Sequence, residues 1–173
     1  MPDRKSPDHI DRIVAQWNRE RPDLDVAALA LFGRLLRVTQ LADSTLTSAM
    51  RNRGLQRGWF ELLAALRRAG SPYELNPTQL MAATMLSSGG ITKRLDSMER
   101  AGLLERKPDP TDRRGTIVKL TRRGRALVDR AFEEHVANEE QLLDGLTQNQ
   151  RKTLDALLRT LLEHLEQAES PEG

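Results

Sequence analysis

The residues best suited to chemistry in this chain are arranged to read a polyanion. Ser87, Ser88 and Gly89 stand at the opening of a short helical pattern, and Thr92 and Lys93 follow on the face turned away from its apolar stripe. Small residues let a helix start approach a groove closely. Ser88 and Thr92 can bond base edges or phosphates, and Lys93 can reach a phosphate or a guanine edge. The second group is Asp112-Arg113-Arg114, set between two short strand patterns. Arginine on a hairpin tip suits the narrow, negative minor groove. Asp112 is suited to orient a neighbouring arginine through a charge-assisted hydrogen bond. The plain alternative for this turn is an ordinary polar hairpin.

Constellations for catalysis do not accompany these groups. His9, His135 and His164 stand apart on helical stretches without metal-ligand spacing, and Ser88-Gly89-Gly90 lacks the spacing of a phosphate-binding loop. The chain has no cysteine, which excludes disulfides, Cys-ligated zinc and thiol redox chemistry. The expectation is a protein that is not an enzyme and uses neither metal nor cofactor.

The elements that must hold these residues are mostly helical. Ile10, Ile13, Val14 and Trp17 mark one stripe of a first helix over Pro7 to Arg19, which Pro22 and Asp23 interrupt. A long second helix follows from Val26 to Arg51, with Leu29, Phe32, Leu35, Leu36 and Leu41 as its apolar set. Gly54 and Gly58 bracket a turn before a third helix over Trp59 to Ala69. Asn76-Pro77 opens a short helix by cap chemistry, ending near Met85. The next helix starts at Ser87 or Ser88 and stops before Gly102, a left-handed end residue. Two short helices with a tight join form a helix-turn-helix. On a wheel of about 100° per residue, Ile91, Leu95 and Met98 face inward while Gly89, Thr92, Lys93 and Asp96 face out. Leu103 to Lys107 and Thr116 to Leu120 read as strands around the Pro108 to Gly115 loop. Thr121 caps a helix running to Asn138 or beyond, and Thr147 with Gln150 forms a capping box for the last one.

The fold class expected is therefore mainly α with a small β-wing. It is a single domain over 1–173, with a winged helix-turn-helix lobe at about 55–121 and dimerisation helices at about 7–50 and 122–168. The final helix carries Leu154, Leu157, Leu158, Leu161, Leu162 and Leu165, a stripe that must be buried against something. A second copy of the chain is the expected cover, because a reader with one short groove helix works as a two-fold pair.

Charge agrees with this division. The net +2 hides an uneven distribution: residues 1–92 carry 12 Lys/Arg and 9 Asp/Glu, residues 93–130 carry 12 and 6, and residues 131–173 carry 3 and 10. A basic middle beside an acidic end points to one part that faces phosphate and one that is turned away from it. Unevenly charged, solvated helix faces are the simpler reading. No apolar run approaches the roughly 18–20 residues that span a membrane, and the first residues lack a signal-peptide pattern. The expected location is cytoplasmic, on the nucleoid, with double-stranded DNA as partner.

These residues resemble the MarR family of regulators. The most specific part is the wing, DPTDRRGTIVKLTRRG from Asp109 to Gly124, and NPTQL and SMERAGLLER also fit. The resemblance implies a homodimer paired through its N- and C-terminal helices. Each lobe would read half of a palindromic operator, usually as a repressor released by a small ligand. The extra N-terminal helix, DHIDRIVAQW followed by RPDLD, is similar to the urate-responsive PecS/HucR-type branch. That branch implies a ligand site between the dimer helices and the DNA-binding lobe, for a small anionic aromatic molecule. Its positions here are Trp17, Glu61, Arg94 and Arg106. The family acid is usually Asp, so Glu61 departs from the pattern.

The residues themselves leave alternatives open at these positions. Arg94 sits about 60° from Ile91 on the wheel, at the margin of the buried stripe, and points back into the protein; a half-buried arginine wants an anionic partner. Packing alone explains Trp17 equally well. Glu61 falls opposite Leu63 and Leu66 and reads as a solvated charge, and Arg106 can simply meet a phosphate. A regulator without an effector, or a protein-interaction module of the same fold, are the competing functions.

Overall fold

A computed structural model of the chain describes residues 6–52, 54–84, 90–110, 112 and 115–169. They form two compact units, residues 1–49 and 50–173. In the first unit, α1 (His9–Glu20) and the greater part of α2 (Ala27–Asn52) pack together. Asp8 caps α1: its carboxylate accepts the Asp11 N–H at 2.8 Å, while Asp11 accepts the Asp8 N–H at 2.9 Å. This reciprocal box satisfies two donors that a helix start otherwise leaves open. Arg34 of α2 then bridges both acids, donating to Asp8 at 2.9 Å and also to Asp11. Ile10 is buried on Gly33, where a Cβ would lie 3.0 Å from Ile10 Cγ2. The glycine therefore sets how closely the two helices cross.

The second unit holds α3 (Arg57–Arg68), β1 (Glu74–Leu75), α4 (Pro77–Ala82), α5 (Ile91–Arg100), β2 (Leu104–Pro108), β3 (Thr116–Leu120), α6 (Arg122–Leu142) and α7 (Gln148–Glu169). The strands form an antiparallel sheet in the order β1-β3-β2, with Arg106 opposite Val118 and Leu75 opposite the same residue on the other side. The core is built from Leu62, Leu63 and Leu66 of α3, Leu80 of α4, Leu95 and Met98 of α5, and Leu104, Val118 and Val128 around them. Asp129 of α6 pairs with Arg67 of α3 at 2.7 Å, and the Tyr73 ring has the guanidinium groups of both Arg67 and Arg125 over it.

Local cap chemistry explains the element starts. Asn76 accepts the Gln79 N–H with Pro77 in the first turn, Thr121 accepts the Gly124 N–H, and Thr147 pairs with Gln150 as a box. Gly102 ends α5 at φ 68. Several expectations are corrected. Gly58 lies inside α3, which begins at Arg57, and the turn before it carries Gly54 alone at φ 72. The short α4 ends at Ala82 rather than near Met85. The helix assigned to Ser87 or Ser88 begins at Ile91, because Gly90 takes the left-handed φ of 80 and breaks any helical path through it. Leu103 belongs to the turn, so β2 starts at Leu104 and extends to Pro108. The two-residue β1 was not anticipated. Among the described residues no helix is long and apolar enough to cross a membrane.

Candidate nucleic-acid interface

The surface that the sequence assigns to a nucleic acid rests on α5. Leu95 and Met98 anchor the helix in the core, and Ile91 packs against it, so Thr92, Lys93 and Asp96 are left exposed on the opposite side. Gly90 offers no side chain to cap the helix, which suits the first turn of N–H groups to an anion. Thr92 and Lys93 are thus where the wheel placed them. Ser87, Ser88, Gly89, Arg113 and Arg114 lie outside the described residues.

The wing follows directly. Asp112 is exposed, and its carbonyl accepts the Gly115 N–H at 2.8 Å, while the Gly115 carbonyl accepts the Asp109 N–H at 3.0 Å. A Cβ on Gly115 would lie 2.9 Å from the Asp109 Cβ and 3.1 Å from the Asp112 Cβ. Only glycine lets the loop close this tightly. The base of the wing is stapled to the rest of the lobe. Thr121 donates its hydroxyl to the Gly102 carbonyl at 2.8 Å and its N–H to the Leu103 carbonyl at 3.1 Å.

The four positions implied for a ligand fall into different surroundings. Trp17 of the first unit is 46% exposed, so packing does not consume its ring. Arg94 is folded onto α3: its Nε lies 2.9 Å from where a Gly58 Cβ would stand. Gly58 and Glu61 are three residues apart and share a face of α3. Glu61 is not the solvated charge that the helical wheel suggests, since its Oε2 is shielded from solvent. Arg106 is engaged by two carboxylates of the recognition helix, Asp96 Oδ1 at 2.7 Å and Glu99 Oε2 at 2.8 Å. Burial works against its charge, but the hydrogen bonds it donates to Asp96 and Glu99 outweigh that and hold its pKa above the ordinary guanidinium value. Sequence reasoning missed Glu99 as the partner of Arg106 and Gly58 as the seat of Arg94. The three-residue spacing of Asp96 and Glu99 was the available signal for the first.

A short groove helix seated on a helical core and followed by an antiparallel hairpin defines a winged helix-turn-helix, a class that reads duplex DNA. Residues 53–115 match the MarR family. The transcriptional regulator PecS of Dickeya dadantii is 41% identical over 156 residues, which cover 90% of this chain and 94% of that protein. A mutant MarR of Escherichia coli solved with operator DNA is 28% identical, with a TM-score of 0.67 over 84% of this chain and 97% of that one. BpsR of Bordetella bronchiseptica, whose DNA binding is regulated by 6-hydroxynicotinic acid, is 27% identical with a TM-score of 0.66, over 75% of this chain and 91% of that one. The chain belongs to the MarR family. It is a DNA-binding transcriptional regulator and not an enzyme.

Proposed function

We propose that the protein is a homodimeric repressor that occupies a palindromic operator and is released by a small anionic aromatic ligand of the urate kind. Contacts to DNA come from Ser87, Ser88, Gly89, Thr92 and Lys93 in the groove, and from Arg113 and Arg114 on the wing with Asp112 orienting them. The lobe at about 55–121 carries these contacts, and the helices at about 7–50 and 122–168 join the two copies. Apolar faces without cover in one chain support the pairing: Leu36 of α2 is 62% exposed and Leu157 of α7 is 65% exposed.

The effector reading rests on one observation, the position of Arg94. A recognition-helix arginine that lies over Gly58 of α3, a turn from Glu61, is turned away from the groove and toward the body of the lobe. An anionic ring recruited by Arg94 and Arg106 and repelled by Glu61 would move α5 by moving its own side chain. Ligand and DNA would then favour different placements of α5. A coupling of roughly 1–3 kcal/mol weakens operator binding about 5–150-fold. The extra methylene of Glu61, relative to the usual Asp, narrows such a site, so a ring smaller than urate is within the proposal. The regulation of BpsR by 6-hydroxynicotinic acid, a single-ring carboxylate, is consistent with that class.

A second reading, a regulator with no small-molecule effector, is favoured by Arg106, whose charge Asp96 and Glu99 already engage. The two are separated by a thermal-shift and gel-shift screen of urate, other purines and aromatic carboxylates, with the protein's own upstream DNA as probe. The effector reading expects one anion that stabilises the protein and releases the DNA. It also expects Arg94→Ala to remain a folded, DNA-binding dimer that this anion no longer releases. Full release of the Arg94→Ala variant would remove the pocket from the account.

A further inference from the structure

Asp96 poses a problem for a helix that faces DNA. It is exposed on the same side of α5 as Thr92 and Lys93, where a bare carboxylate would repel the phosphate backbone. The structure resolves this through Arg106, whose side chain is only 26% exposed at the base of the wing. Its Nη1 stands 2.7 Å from Asp96 Oδ1 and 2.8 Å from Glu99 Oε2. The remaining Glu99 oxygen, Oε1, accepts the backbone N–H of Arg106 at 3.0 Å. Glu99 therefore grips both the main chain and the side chain of one residue, and Asp96 closes on the guanidinium one turn earlier on the helix.

We propose that Arg106 serves DNA binding as a positioning residue. Asp96 and Glu99 pin it to α5, and the pin fixes the angle between the recognition helix and the wing; Arg106 is not a phosphate contact. Three features carry this. Two carboxylates around one guanidinium leave the cluster net negative, which disfavours a phosphate there. The covalent joint between α5 and β2 is a short turn through Gly102 at φ 68, so the pin is a second attachment across that turn. Leu95 and Met98 hold α5 against the core, but apolar packing is non-directional and sets its rotation weakly, whereas two short charge-assisted bonds set both distance and direction. The pin requires no effector. An anion arriving at Arg106 must first displace these carboxylates, so the inference and the ligand reading can fail separately.

The test uses the full-length protein without any ligand. Operator and random-duplex affinities are measured by fluorescence anisotropy across a salt series, alongside a thermal melt, for wild type, the double variant Asp96→Asn/Glu99→Gln, and Arg106→Met and Arg106→Lys. The double variant keeps the shapes and the Glu99 acceptor for the Arg106 N–H while removing the charges. The expected result is a loss of operator affinity of about tenfold, with random-duplex affinity no weaker and the salt slope not reduced. Arg106→Lys should retain much of the discrimination that Arg106→Met loses. Unchanged operator discrimination in the double variant would overturn the proposal. So would an Arg106→Met variant that weakens both duplexes equally and reduces the salt slope by about one, the mark of a lost phosphate contact.

Discussion

A methyl group at Gly124 would sit 1.9 Å from the Leu103 carbonyl oxygen, closer than any packed structure allows. The start of α6 is therefore pressed onto the turn that follows the recognition helix, and Thr121 fastens the two with bonds to Gly102, Leu103 and Gly124. Substituting Gly124→Ala should destabilise the lobe by about 3 kcal/mol or more, since neither backbone can yield without breaking this staple. Urea unfolding followed by circular dichroism measures it; a loss under about 1 kcal/mol would mean that the close approach relaxes freely. Thr121 was readable as a cap because a cap is local chemistry. The need for glycine at 124 was not, because the carbonyl it meets belongs to another element. The same distinction separates Arg94 from Glu61. The wheel placed Arg94 at the edge of the buried stripe, where it lies. It placed Glu61 in solvent, but burial of one carboxylate oxygen depends on what packs over α3.

At the scale of elements, α1 depends on charge more than on propensity. The Asp8 carboxyl is held below its ordinary value first by the Asp11 backbone N–H and then by the Arg34 side chain. A depressed carboxyl contributes stability that is present above its unfolded pKa and lost as pH falls through the folded one. Amide protection within His9–Glu20, taken relative to the intrinsic exchange rate at each pH, should therefore fall once the pH drops below the ordinary carboxylate range. Replacing Arg34 by Ala should weaken that dependence by removing one of its causes. Exchange rates whose pH dependence is the same in wild type and Arg34→Ala would contradict the bridge. Most elements were legible at this scale: the capped starts of α4, α6 and α7, and the glycine end of α5, follow from residue type alone. Two were not. β1 is two residues long, too short for alternation to register, and exists because β3 offers it an edge. The start of α5 was misplaced because Ser87, Ser88 and Gly89 look like a cap, while Gly90 adopts a left-handed turn that sequence does not require.

For the whole molecule, the central fact is what one chain leaves uncovered. α7 exposes Leu154, Leu157, Leu158, Leu162 and Leu165, α6 exposes Phe132 and Val136, and α2 exposes Leu31, Phe32 and Leu36. The α7 stripe and the Phe32 and Leu36 positions of α2 were readable as amphipathic faces, whereas Leu31, Phe132 and Val136 were not singled out. A second copy over these faces would give a two-fold molecule with two α5 helices, and hence two half-sites. The acidic end of the chain, with 3 Lys/Arg and 10 Asp/Glu in residues 131–173, is ill-suited to meet phosphate. Hydroxyl-radical footprinting on the protein's own upstream DNA tests this most directly. The account predicts two protected patches related by two-fold symmetry, their centres about 10 base pairs apart on one face of the duplex. A single protected patch, bound by one chain, would contradict it.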